Sequence, residues 1–281
     1  MKLGYSTWGM PTVPVDIALA HLAELGFDGV ELTVIPGYST ELCVLTKSER
    51  RRILKLLKKH ELGLPAIAGH TSLMEEDPQI HAANLKQLQE TIDLAVDWAG
   101  PDGPPAIDTT AGSKPDEWES RKAQLVERTQ ELAEYAQARG VTIALEPHVG
   151  SIIDTPYKMV ELIQLVGLSN VKVNFDISHF NVMGYTIEES VSAMAPYAVH
   201  THVKDETGHA PNHQFLIPGE GDFDYVTYLQ AMQRHGYTGY ISAEISIMVQ
   251  RRPNYDPLDA AAQTYTTLAA AFATAGIDRS R

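Results

Sequence analysis

Cysteine is nearly absent from this chain: Cys43 is the only one. No intrachain disulfide can form and no cysteine metal cluster can be built, which fits a reducing compartment. No run of about 18 apolar residues exists to span a bilayer. The first strand-like run, Lys2-Leu3-Gly4-Tyr5-Ser6-Thr7-Trp8, begins without an apolar signal-peptide region before it. A soluble, cytoplasmic protein without a membrane partner is expected. Positive charge is also scarce: 22 Lys plus Arg stand against 36 Asp plus Glu, a net charge of −14. A field of that sign opposes the approach of a phosphate backbone, so nucleic acid is not an expected partner. Low-complexity segments, composition shifts and linkers are missing too, and nothing marks a domain boundary.

What is present is an α/β pattern. The 281 residues are 44% hydrophobic and 21% charged, ample for a core, and the length suits one large α/β domain or two small ones. Short β-rich runs lie at 2–7, 28–34, 64–70, 105–110, 141–147, 171–176, 198–204 and 239–246. Amphipathic stretches at 14–25, 47–61, 78–98, 117–139, 155–166, 187–195, 223–235 and 258–275 alternate with them. In 117–139, for example, Leu125, Leu132, Ala133 and Ala136 recur at helical spacing while Glu and Arg fill the other face. Gly26, Gly63, Gly140, Gly167 and Gly236 each follow a helical run, where glycine relieves the steric cost of a left-handed C-cap. Strand-then-helix units so punctuated predict parallel strands joined by right-handed crossovers. Eight of them close into a barrel more naturally than they form an open doubly wound sheet. The expected fold is a single-domain (β/α)₈ TIM barrel over residues 1–281.

Such a barrel carries its active site at the C-terminal ends of the strands. There the sequence reads Ala144-Leu145-Glu146-Pro147-His148, Asn174-Phe175-Asp176-Ile177-Ser178-His179, His200-Thr201-His202-Val203-Lys204-Asp205 and Ser242-Ala243-Glu244-Ile245-Ser246. Four consecutive strands each present a carboxylate or an imidazole at equivalent height. Three carboxylates converging in a barrel mouth repel one another and resist desolvation, and a divalent cation offsets that cost. Oxygen donors with one imidazole suit Mn²⁺, Mg²⁺ or Co²⁺, and Zn²⁺ is compatible; Mn²⁺ is the expected ion. The bland alternative makes each residue a helix cap or a loop ion pair.

These four segments, with Gly4-Tyr5-Ser6 and Gly29-Val30-Glu31-Leu32, resemble the sugar isomerase and epimerase group of the xylose-isomerase-like TIM barrels. That group includes inosose isomerases, ketose 3-epimerases, inosose dehydratases and the AP endonucleases. The resemblance spans essentially the whole chain. Carried over by position, it implies metal ligation by Glu146, Asp176, His202 and Glu244, with Glu146 and Glu244 also serving as acid and base. It implies a substrate-facing role for His179, three residues after Asp176, and for His70 at the end of the third strand. Lys204 lies in phase with His202 and is read as a substrate contact or the partner of a nearby carboxylate. Trp8 is read as an apolar wall over a sugar ring, or as core or lid. Glu31 and Asp108 are weaker candidates, since buried barrel carboxylates often pair with Lys or His. The direction of His148 is unreadable past Pro147.

The chemistry needs these residue types. Removing a proton from a carbon next to a carbonyl builds negative charge on the oxygen, and a divalent ion stabilises the resulting cis-enediolate. A glutamate takes the proton, and its return to another face or carbon gives an epimer or isomer. The expected function is thus a metal-dependent isomerase or epimerase acting on a keto-sugar or inosose. The alternatives are a lyase that eliminates a β-hydroxyl, an abasic-site endonuclease and a non-catalytic sugar-binding barrel. The endonuclease type uses a three-metal cluster, and the fourth strand offers Asp108-Thr109-Thr110 rather than histidine. The ketose 3-epimerase subgroup has an arginine shortly after the seventh-strand histidine, whereas this chain reads Lys204-Asp205-Glu206-Thr207. Arg251 and Arg252, after the last strand, are read as an anion site, a subunit contact or a solvated loop. The expected partner is a small sugar or polyol, and a homo-oligomer is compatible with the sequence.

Overall fold

The computed structural model describes residues 1–279. Eight parallel strands close into a barrel: β1 (Lys2–Ser6), β2 (Gly29–Thr33), β3 (Ala66–Ser72), β4 (Ala106–Thr110), β5 (Ile143–Glu146), β6 (Val171–Asp176) and β7 (Ala198–Val203), then β10 (Tyr240–Ala243), which closes onto β1. Between β7 and β10 a two-stranded antiparallel hairpin, β8 (Asp205–Thr207) with β9 (Gln214–Leu216), stands outside the barrel. The helices are α1 (Val15–Leu25), α2 (Lys47–Lys59), α3 (Pro78–Asp97), α4 (Trp118–Gln137) and α5 (Pro156–Val166). After β6 come α6 (Ile177–Asn181), α7 (Ile187–Met194), α8 (Tyr225–Arg234), α9 (Ile247–Gln250) and α10 (Pro257–Ala275).

The local chemistry explains these elements. Strands such as Val171-Lys172-Val173-Asn174-Phe175-Asp176 are apolar on the helix-covered side and are buried almost throughout. Helices begin where a side chain can accept the first orphan N–H groups: Asp77, Thr155 and Asp256 cap α3, α5 and α10, each followed by proline, whose missing N–H costs nothing there. Thr186 and Glu189 form a reciprocal capping box on α7. In α2 the buried Ile53 and Leu57 face the barrel while lysines and arginines face water. Among the described residues, no helix is long and apolar enough to cross a membrane.

All eight barrel strands and eight major helices fall where the sequence periodicity puts them. One glycine reading is corrected. Gly26, Gly140, Gly167 and Gly236 are left-handed, but Gly63 is not; α2 is followed by Glu61 at φ 55° instead. Gly63 bridges Gly29, and a Cβ on it would run into the Tyr240 hydroxyl. Glycine stands there for close packing, not for backbone conformation. The hairpin, α6 and α9 were not expected. Each has five residues or fewer per element, too few to show a period.

Candidate active site

Strand pairing sets the height of the site. Asp176 is paired with His202 across β6 and β7, and His202 with Ser242 across β7 and β10. Glu146 ends β5, and Glu244 lies one residue beyond β10, where its N–H donates to the Val203 carbonyl at 3.1 Å. The four side chains the sequence singled out are buried together. One donor atom from each can be chosen so that all lie within 4.8 Å of one another. His202 Nδ1 is 3.2 Å from Glu146 Oε1 and 3.7 Å from Glu244 Oε1. Asp176 commits one oxygen to the start of α6: Oδ1 accepts from Ser178 N at 3.0 Å and from Ser178 Oγ at 2.5 Å. Its other oxygen, Oδ2, faces the cluster.

A second layer fixes the imidazole. His202 Nε2 is 3.1 Å from Glu31 Oε1, and His200 Nε2 is 3.0 Å from Glu31 Oε2. Ser6 Oγ donates to Glu31 at 2.5 Å. A carboxylate only accepts, so Nε2 carries a hydrogen toward Glu31 and Nδ1 is the nitrogen that faces the three carboxylates. Glu31 thus serves as the histidine partner that its buried strand position suggested. Burial by itself would raise the carboxyls of Glu31 and Glu146. The cationic imidazole of His202 outweighs it and holds both well below the usual range, with Lys204 assisting at Glu146. Burial opposes charge on His202 as well, but Glu31, Glu244 and Glu146 raise its pKa well above the ordinary value. The carboxylates on both sides of the ring thus favour positive charge there.

Above the cluster opens a pocket of about 320 Å³. Trp8, His70, Glu146, His179, Lys204 and Glu244 all line it, so each expected substrate-side residue reaches one cavity; Asp176 and His202 lie beneath. Trp8 stacks on Tyr38 and meets His70 edge-on at 5.1 Å. His70 Nε2 is 3.5 Å from Asp108 Oδ2. Among the described residues, neither oxygen of Asp108 has a hydrogen-bond partner. Burial, then Glu146 and Glu31, push its carboxyl well above the usual range.

His179 Nε2 is 3.4 Å from Asp176 Oδ2 and 4.0 Å from Glu146 Oε1. Burial, then the neighbouring His148, lower its pKa well below the ordinary histidine value, so it is a neutral hydrogen-bonding group at physiological pH. Its Nδ1 is buried and has no hydrogen-bond partner among the described residues. His148, whose direction the sequence left open, packs on His179 with ring centroids 3.8 Å apart and lines the same pocket. Lys204 pairs with carboxylates: its ammonium is 2.5 Å from Glu244 Oε2 and also contacts Asp176 Oδ2. Burial, then Lys204 and His179, act on Asp176, and the two cationic partners prevail, drawing it down to about 2.

Sequence reading missed Phe215. It comes from β9, lies against His179 at 5.1 Å and forms an apolar wall of the pocket. The turn that carries it hangs on Asp205, whose carboxylate accepts from Gly219 N at 2.7 Å and Phe223 N at 3.1 Å. That Asp205-to-Gly219-Glu220-Gly221 tether was the available signal. Neither Arg251 nor Arg252 lines the pocket; Arg252 pairs with Glu220 at 2.7 Å.

A family model described as xylose isomerase-like TIM barrel matches residues 19–268. Fructoselysine 3-epimerase of Shigella flexneri is 24% identical over 273 residues, covering 90% of this chain and 93% of that protein. Inosose isomerase of Bacillus velezensis is 30% identical over 148 residues, 50% of this chain and 51% of the relative. Among solved structures, IolI protein with a bound zinc atom superposes with a TM-score of 0.80 at 19% identity, covering 98% of this chain and 99% of that one. At that identity the likeness speaks for the fold.

Proposed function

The chain belongs to the xylose isomerase-like TIM-barrel family, and from that premise we propose that it is a divalent-metal-dependent isomerase or epimerase acting on a keto-sugar or inosose. The observation that carries this reading is the buried set of Glu146, Asp176, His202 and Glu244, converging beneath a sugar-sized pocket. The donors fit a cation. Asp176 keeps Oδ2 on the cluster side, where the Lys204 ammonium meets it, His202 turns Nδ1 inward, and three buried carboxylates need compensating charge. Three oxygens and one nitrogen suit Mn²⁺, Mg²⁺, Co²⁺ or Zn²⁺, and we assign Mn²⁺ first. The printed names of the relatives, a 3-epimerase and an inosose isomerase, support the reaction class, and the zinc of IolI supports the metal.

Bound there, a divalent ion supplies Lewis acidity to a substrate carbonyl and its neighbouring hydroxyl. The protein groups do the rest. Glu146, held ionised by His202 and Lys204, is a base for the proton on the carbon next to that carbonyl. Glu244 enters the pocket from a different strand and returns a proton on another side. His179 and His70 hold substrate oxygens, while Trp8 and Phe215 cover the apolar face of the carbon skeleton and exclude water. A small sugar or polyol is the proposed partner.

The test is proton NMR of keto-sugars and inososes in deuterated water with Mn²⁺. Deuterium uptake at the carbon beside the carbonyl, with a new epimer or isomer, is the expected result. Loss of water from the substrate would make the enzyme a lyase, and no exchange across the panel would remove the proposal.

A further inference from the structure

Asp176 and Lys204 meet at one atom, and that atom is contested. Asp176 Oδ1 is spent on Ser178 N and Oγ, which start α6. Only Oδ2 remains for the cation cluster, and Lys204 Nζ already contacts it. The same ammonium takes Glu244 Oε2 at 2.5 Å. Lys204 thus bridges two of the four donors through the one oxygen that Asp176 has free.

The ammonium also has somewhere to go. The backbone of Lys204 is anchored, its carbonyl accepting from the Tyr225 hydroxyl at 3.0 Å. Movement is therefore confined to the flexible four-carbon stem. That stem lines the pocket, and the Phe215 ring centroid stands 5.7 Å from Nζ, within range of a cation–π contact. Two cations that share one carboxylate oxygen at close range repel strongly in a buried site.

We propose that Lys204 is an exchangeable internal cation. It holds Asp176 and Glu244 together, yields Asp176 Oδ2 when a divalent ion binds, and turns into the pocket on the Phe215 side. Its departure frees Glu244 Oε2 and brings the ammonium to where substrate oxygens bind, so metal binding prepares the substrate site. This inference rests on the ligand assignment of Glu146, Asp176, His202 and Glu244.

Calorimetric titration of Mn²⁺ alone into metal-free protein tests it. Lys204→Met removes the competitor and keeps the stem, and should bind Mn²⁺ about tenfold or more tightly than the native protein. Lys204→Arg, which keeps a cation there, should bind as the native protein does. Tighter binding runs opposite to what structural damage produces. Equal or weaker binding in Lys204→Met overturns this inference and leaves the ligand set standing. Binding to neither protein overturns the ligand set and this inference with it. If Lys204→Met does not fold, a crystal structure of the native protein with Mn²⁺ decides. Nζ should then lie more than about 4 Å from Asp176 Oδ2, beyond ion-pair range, and an ammonium still seated there overturns the proposal.

Discussion

Glu31 Oε1 lies 3.1 Å from His202 Nε2, across the imidazole from Glu146 and Glu244, which approach Nδ1 at 3.2 and 3.7 Å. One ring atom is thereby bound to the barrel wall and the other is aimed at the cluster. The distance matters because an imidazole free to rotate would offer its lone pair in many directions, and only one serves.

Glu31→Gln should therefore loosen the metal without unfolding the barrel. The amide keeps an oxygen near Nε2 but loses the charge that raises ring basicity. Roughly 10–100-fold weaker Mn²⁺ binding is expected, measured by competition with a chelating dye. Unchanged affinity would reduce Glu31 to a packing role.

Glu146→Gln should fold and still present an oxygen to the cluster. An amide cannot accept a proton from carbon, so kcat should fall by roughly 10²–10⁴-fold. Deuterium exchange into substrate measures the loss. Full exchange in this variant would take Glu146 out of the acid–base role.

His179→Ala should keep the metal and lose roughly 10²-fold in kcat/KM, the scale of one group stabilising developing charge. Its Nε2 stands 3.4 Å from Asp176 Oδ2, close to the proposed ligand set, so metal content by plasma mass spectrometry must accompany the kinetics. Loss of metal would make His179 a ligand.

Glu206 offers a pH test. Burial, against the hydrogen bond from Asn181, pushes its carboxyl from 4.5 up to about 8. Between those values the folded protein keeps a proton that the unfolded chain has released. Stability is therefore full below the lower value and falls as pH rises toward the upper one. Glu206→Gln, which retains an oxygen for Asn181, should flatten that fall and stabilise the protein at about pH 9 by roughly 2–4 kcal/mol. Denaturant midpoints across pH measure it. Parallel pH profiles for the two proteins would show that Glu206 ionises normally.

Much of this was legible in the residues themselves. A strand buried between barrel interior and helices must be apolar, and a helix on its outside must be amphipathic, so Val171–Asp176 and Trp118–Gln137 announce themselves by period alone. The polar residue that ends each strand is equally visible, because parallel strands in a closed barrel bring their C-terminal ends to one rim. The ends that carry Glu146, Asp176, His202 and Glu244 were visible in this way, and the family resemblance singled out those four among their neighbours. The Gly63 reading failed because glycine after a helix has two uses, and the sequence does not say whether a Tyr240 ring will arrive beside it.

The order of strands, the rim and the residues on it were thus determined by the sequence alone, through periods of two and 3.6 residues. Which atoms of those residues meet was decided only by the tertiary structure. Ser178 claims Asp176 Oδ1, Glu31 claims His202 Nε2, and a three-residue strand swings Phe215 over His179. These choices depend on rotamers and loop paths set by partners up to 171 residues apart in the chain. Local periodicity cannot encode them, because each is settled only when the closed barrel brings its donors and acceptors within hydrogen-bonding range.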